Sequence, residues 1–284
     1  MISNNSKAVV FMLLSALSFA FMAAFVKLAG DIPLFEKVFV RNLVSLVVAL
    51  VLVIKTKHKV FGKKENRKFL LLRSLLGLCG VVLYFYSINN LFLADSSMLN
   101  KLSPFFVTIF AGIFLKERIT KFRIIALFVI FSAAMLIIKP KFDLSILPAA
   151  SGFFSAMFAG AAYTLVRFLG GKEEPQIIVF WFSLISVVFT LPLMLFDFKV
   201  PGFSQLIFLL GTGIFAAGGQ FGLTLAYKFA KASEVTVYNY TNIIFAVIIG
   251  YFIRWEVPDF QSILGGILII SVSLLLFFHN KSGK

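Results

Sequence analysis

The chain is 284 residues long, 60% hydrophobic and only 14% charged, with a mean hydropathy of +1.00. That composition excludes a water-soluble domain, because a body of this size has too little interior to hide so much apolar surface, and lipid must cover the rest. The formal net charge of +15 does not point to nucleic acid: the basic residues collect in short loops between apolar stretches, as membrane topology alone requires.

A helix needs about 20 apolar residues to cross the hydrocarbon core. Such runs fall at roughly 8–29, 36–54, 69–92, 95–115, 122–138, 146–168, 176–196, 204–227, 232–253 and 260–279, which predicts an all-α integral membrane protein of ten transmembrane helices. The first run is long for the apolar core of a signal peptide and is read as a retained span. The third-to-fourth and eighth-to-ninth connections are very short and predict tight hairpins. The lone Cys79 excludes an intrachain disulfide. With the N-terminus inside, 18 of the Lys and Arg residues fall on inner segments and 5 on outer loops, among them Lys37, Lys199 and Arg254. This bias predicts both termini in the cytoplasm and a multi-pass protein of the cell membrane.

Four basic residues lie within spans, and intramembrane charges are the first functional candidates. Lys27, near the outer end of the first span, is read as snorkelling to the surface. Arg41 enters the second span by about five residues, roughly 7 Å; snorkelling and a cavity role both stand. Arg73 enters the third span from the cytoplasmic side and is read as snorkelling. Asn42, Asn89, Asn90 and Asn100 suit hydrogen bonds between helices. Tyr84, Tyr86 and Trp181 are weaker candidates for a cavity wall. Asp95 or Ser96, and Ser233, precede apolar runs as N-caps do, and Glu234 suits a first helical turn.

The stretch MLNKLSPFF places Lys101 about seven residues, roughly 10 Å, inside the fourth span. A lysine near the bilayer centre costs about 2.5–3.5 kcal/mol even on a lenient insertion scale. Positions 97, 98, 104 and 105 are Ser, Met, Pro and Phe, so no carboxylate stands one turn away. Two readings follow: a structural pair with Asp95 on the preceding turn, or a hydrated cavity in which the substrate supplies the counter-charge. Pro104 either kinks this helix and frees a carbonyl toward such a cavity, or kinks it without function. Glu117 and Glu256, at span ends, read as solvated loop carboxylates.

The two halves resemble each other. Ala16, Ala20 and Ala24 match Gly152, Ala156 and Gly160, small residues at every fourth position that let helix backbones approach closely. ADSSMLNKLSPFFVTIFAGIFLKE matches ASEVTVYNYTNIIFAVIIGYFIRWE, which aligns Asn100, Lys101, Leu102 and Pro104 with Tyr238, Asn239, Tyr240 and Asn242. Residues 1–143 and 144–284 therefore read as two five-helix repeats. An odd number of spans inverts the second copy, and inverted repeats place a transporter's substrate site at the midplane between the halves.

Nothing supports an enzyme. His58 and His279 are the only histidines, no metal-ligand spacing occurs, and no phosphate-binding glycine loop exists. GGQFG, with Gly218 and Gly222 four apart, reads as helix packing. No metal or cofactor is expected. The competing reading is an integral membrane enzyme or a lipid-handling protein without solute transport.

The stretches FVRNLVSLVVAL, LLRSLLGLCGVVLYFYSI, ADSSMLNKLSPFFVTIFAGIFLKERIT and KASEVTVYNYTNIIFAVIIGYFIRWEVPD carry a resemblance to the drug/metabolite transporter superfamily, of the EamA type, and it extends over the whole chain. It implies ten helices in two inverted five-helix repeats around a central cavity, alternating access, and a small-molecule substrate. Two departures stand at loops: Lys116 replaces the usual glycine before Glu117, and Arg254-Trp255 inserts before Glu256. No acid lies deep in any span, so the intramembrane glutamate of small multidrug transporters has no counterpart, which favours exchange or uniport. The expected substrate-binding set is Lys101, Arg41, Asn100, Tyr238, Asn239, Asn242, Tyr84 and Trp181. Its basic character favours an amino acid-like metabolite or an organic anion.

Overall fold

The computed structural model describes residues 4–56, 60–114, 121–139, 146–230 and 236–282. Among the described residues the regular structure is helical, apart from one isolated bridge between Gly170 and Glu173. The helices are α1 (Asn4–Leu28), α2 (Leu34–Lys55), α3 (Arg67–Asn90), α4 (Leu93–Asn100), α5 (Ser103–Phe114), α6 (Lys121–Ile138), α7 (Leu147–Leu169), α8 (Pro175–Phe196), α9 (Phe203–Phe229), α10 (Thr241–Arg254) and α11 (Phe260–Ser282). Short 3-10 turns, Lys64–Asn66 and Thr236–Tyr240, precede α3 and α10. Seven segments among the described residues are long and apolar enough to cross a membrane, α4 and α5 together forming one of them; Ile124–Ile138 and Phe260–Val272 are shorter apolar helices. Lys116, Glu117, Ser233, Glu234 and His58 lie outside the described residues.

The outward faces carry Phe114, Phe128, Phe196, Phe203 and Phe252, all strongly exposed. Helices apolar on their outer as well as inner faces belong in lipid. Inside, small residues set the helix spacing. Ala16, Ala20 and Ala24 are buried on α1. Gly222 of α9 would place an added Cβ 3.0 Å from the carbonyl oxygen of Phe11, so the pair Gly218 and Gly222 serves packing of α9 on α1. On α7, a Cβ at Gly160 would stand 2.4 Å from the Cβ of Phe106. Only glycine admits α5 that close. The pairings recur with the halves exchanged: α1 packs on α9 as α7 packs on α3, α2 on α9 as α8 on α3, and α1 on α10 as α7 on α5.

The fourth span is not continuous. α4 stops at Asn100, Lys101 and Leu102 form a turn, and α5 begins at Ser103. Pro104 has no N–H to give the carbonyl of Asn100, so the regular ladder cannot cross this point. The Leu102 amide instead donates to Leu99 O at 3.0 Å. In the ninth span a 3-10 turn ends at the matching place, Tyr240, where α10 begins.

The ends of the spans correct several sequence expectations. Lys27 does not snorkel: it donates to Leu91 O at 2.6 Å and forms an ion pair with Glu256. Glu256 is not a solvated loop carboxylate. It is buried, and it accepts the Leu93 N–H at 2.7 Å, so the start of α4 is capped by an acid from the other half rather than by Asp95 or Ser96. The Arg254-Trp255 insertion makes this reach possible. Trp255 takes a left-handed conformation (φ 53°) and ends α10, with Glu256 N–H returning to Gly250 O at 3.3 Å. Lys37, expected in an outer loop, is fully buried in the first turn of α2, donating to Gly30 O at 2.8 Å and Asn89 Oδ1 at 2.9 Å. In the exposed loops, Lys199 pairs with Asp31 and Lys139 with Asp259; hydrogen bonding to these ammonium groups holds both carboxyls below the usual range.

Candidate functional site

Seven helices and the α4–α5 turn line a central cavity. The bundle brings four of the expected residues to its wall: Arg41 from α2, Tyr84 from α3, and Asn100 and Lys101 from the broken fourth span. It adds Arg73 and Gly77 from α3, Tyr163 from α7, Phe182 from α8, Gln220 from α9 and Phe19 from α1. Among the described residues, no Asp or Glu stands in the lining.

Lys101 is 5% exposed. Its Nζ donates to Asn239 Oδ1 at 3.2 Å and lies 5.9 Å from the centre of the Phe19 ring. Asp95 is not its partner; that carboxylate sits near Ser262, and its Oδ1 finds no hydrogen-bond partner in the protein. The helix break explains the geometry. Lys101 caps α4, and its side chain reaches Asn239 in the other half. Asn100 Nδ2 contacts Ser155 Oγ at 3.3 Å, and the Tyr84 hydroxyl lies 3.4 Å from Ser97 Oγ.

Arg41 and Arg73 are each 2% exposed. Both guanidinium groups approach the ring of Phe182, at 5.1 Å and 4.2 Å from its centre. Arg41 Nη1 donates to Asn42 Oδ1 at 2.6 Å, but its Nε finds no acceptor; Nε and Nη1 of Arg73 find none either. The expectation that Arg73 snorkels is therefore corrected. The magnitudes decide what this means. An ion taken out of water without a counter-charge costs on the order of several kcal/mol even after relaxation. A cation–π contact returns about 0.5–2 kcal/mol. Phe182 orients the two arginines but does not neutralise them. Gln220 Nε2 is a further buried donor without a partner.

Four expected residues stand apart from the lining, Asn239 meeting it only through Lys101. Asn242 donates to Ala16 O at 2.8 Å and ties α10 to α1. Tyr238 packs near Ala8, Met12 and Ala226. Trp181 turns away from the cavity, its Nε1 reaching Phe61 O at 3.4 Å within a cluster near Val166 and Ile177. One residue away, Phe182 faces the cavity, since neighbouring helix positions point about 100° apart. Gln220 carried a readable signal, an amide inside an apolar span, hidden because GGQFG reads as packing. Phe182 carried none, being one of 37 phenylalanines. Among the described residues no cluster of His, Cys, Asp or Glu fit for a metal ion exists.

Comparison with known proteins agrees with this architecture. The model of the EamA-like transporter family matches residues 6–139 and 147–278. The chain is 34% identical over 273 residues to the pseudopaline exporter CntI of Pseudomonas aeruginosa (strain UCBPP-PA14), covering 95% of each chain. It is 28% identical to human solute carrier family 35 member G1, covering 91% of this chain and 75% of that protein. It is also 28% identical to a riboflavin transporter of Vibrio cholerae, covering 75% of this chain and 73% of that one. A solved crystal structure superposes with a TM-score of 0.70 over 95% of this chain and 96% of its own, at 13% identity, which speaks to the fold alone.

Proposed function

The chain belongs to the EamA-like transporter family, whose members named above are transporters rather than enzymes, and on that premise we propose that this multi-pass membrane protein carries a small organic anion by alternating access. The observation behind the substrate class is the central cavity, whose lining has Arg41, Arg73 and Lys101 and, among the described residues, no acid. Its counter-charge comes from the substrate: a carboxylate, a phosphate, or the acid end of an amino acid-like zwitterion. Lys101 binds as a mobile point charge, and Asn100, Asn239 and Tyr84 supply neutral polar contacts near it.

We take residues 1–143 and 144–284 as two inverted five-helix repeats, in the cytoplasmic membrane with both termini inside. The exchanged helix pairings, the broken fourth span and the 3-10 turn before α10 support this arrangement, since interrupted helices near the midplane are where such transporters hold substrate. Relative motion of the halves would expose Lys101 to one side and then the other.

The test is a thermal-shift screen of the purified protein against size-matched organic anions, zwitterions and cations, followed by counterflow of the best stabiliser, radiolabelled, in proteoliposomes. Anions should stabilise the protein and exchange unchanged across the bilayer. Stabilisation by cations alone, or chemical conversion of the labelled solute, would contradict the reading.

A further inference from the structure

The three cations of the cavity do not form one cluster. Lys101 meets Asn239 and Phe19. Arg41 and Arg73 meet Phe182. We infer that the cavity grips its substrate at two negative groups, one at Lys101 and the other at the arginine pair on Phe182, so that the transported species is a dianion such as a dicarboxylate. This rests on the reading of the cavity as an organic-anion site and narrows it.

The arginine pole is built as a site. Both residues are only 2% exposed, and between them Arg41 Nε and Arg73 Nε and Nη1 lack any acceptor among the described residues. A guanidinium offers donors in a planar fork that matches carboxylate or phosphate oxygens two at a time. The ring of Phe182 fixes both planes while using none of those donors. Gly77 makes the room: a Cβ there would lie 3.0 Å from Phe182 Cε2 and 3.4 Å from Arg73 Nη1. Two guanidiniums on one ring repel each other unless an anion lies between or beside them. A single negative group placed at Lys101 would leave that repulsion uncompensated, and one placed at the arginines would leave Lys101 without a counter-charge. A molecule with an acid at each end satisfies both, and the unpartnered Gln220 amide is available to a polar group on the linker.

The test compares chain-matched pairs on the purified full-length protein at constant ionic strength: succinate with butyrate, glutarate with valerate, adipate with hexanoate. At least one diacid should half-saturate the thermal shift at a concentration about tenfold or more below its monoacid partner. Arg73→Gln and Lys101→Met should each bring that diacid to within about threefold of the monoacid, while the monoacid still binds at the remaining pole. Arg73→Lys, which keeps the charge and loses the fork, serves if Arg73→Gln does not fold, and should lose the diacid preference while retaining the monodisperse elution of the unmodified protein. Equal half-saturation for diacid and monoacid in every pair overturns the two-pole site and leaves the organic-anion reading standing. An undiminished diacid preference in the Arg73 variants also overturns it. No response to any acid removes both readings.

Discussion

Lys101 and Asn239, which align when the two similar sequence stretches are matched, touch: Nζ of one donates to Oδ1 of the other at 3.2 Å. Lys101 stands at the end of α4 and Asn239 in the 3-10 turn before α10. Irregular backbone thus presents an ammonium on one side and a neutral acceptor on the other. A neutral acceptor holds the lysine in place without cancelling its charge, which leaves the charge for a ligand.

Asn239→Asp should therefore remove function without harming the fold. A carboxylate about 3 Å from Lys101 would neutralise it in place. We expect the thermal midpoint without ligand to be equal or higher, and the apparent affinity for stabilising anions to fall about tenfold or more. Anion affinity unchanged from the native protein would show that the charge of Lys101 is not what the ligand meets.

Lys27 and Glu256 join the two halves at one end of the bundle, with side chains only 10% and 8% exposed. Removing one partner strands the other, and breaking a buried pair in this way costs about 3–5 kcal/mol. Glu256→Gln should lower the thermal midpoint substantially, and adding Lys27→Met should recover most of the loss. A double variant less stable than Glu256→Gln would mean that the lysine chiefly serves its bond to Leu91 O.

Gly160 holds α7 against α5. A side chain there meets Phe106 and the Ser103 carbonyl at 2.4 and 3.0 Å, so Gly160→Leu should cost at least about 1–3 kcal/mol from overpacking and lower the yield of monodisperse protein. Gly202→Ala, whose Cβ meets nothing nearer than 3.6 Å, is the matched control and should leave yield unchanged.

From the charge bias we expect both termini in the cytoplasm. With Cys79 replaced by serine, a cysteine at exposed Lys64 should react with an impermeant maleimide only after the cells are opened. Labelling of intact cells from outside would reverse the topology.

The helices were legible in the sequence because the bilayer imposes a length and a polarity on each span, and helix packing was legible because small residues recur where backbones must approach. Lys101 was legible because a charge inside an apolar run has few explanations. What the sequence concealed depends on distant contacts. Glu256 looks like a loop acid until the left-handed Trp255 turns it back onto the start of α4. Lys27 and Arg73 look like snorkelling residues because reach to the surface can be judged from sequence, whereas a partner on another helix cannot. Trp181 and Phe182 show the limit most sharply: adjacent aromatic residues on one helix face different surroundings, and no local property separates them.

The most direct test of the account is the anion affinity of Lys101→Met, measured by titrating the stabilising anion against the purified protein and its variant. Methionine keeps the volume of the stem and removes only the charge. The account predicts a rise in apparent dissociation constant of at least about tenfold, equivalent to about 1.4 kcal/mol, with the thermal midpoint in the absence of ligand little changed. An unchanged dissociation constant for every stabilising anion would contradict it and leave Lys101 as a structural link to Asn239.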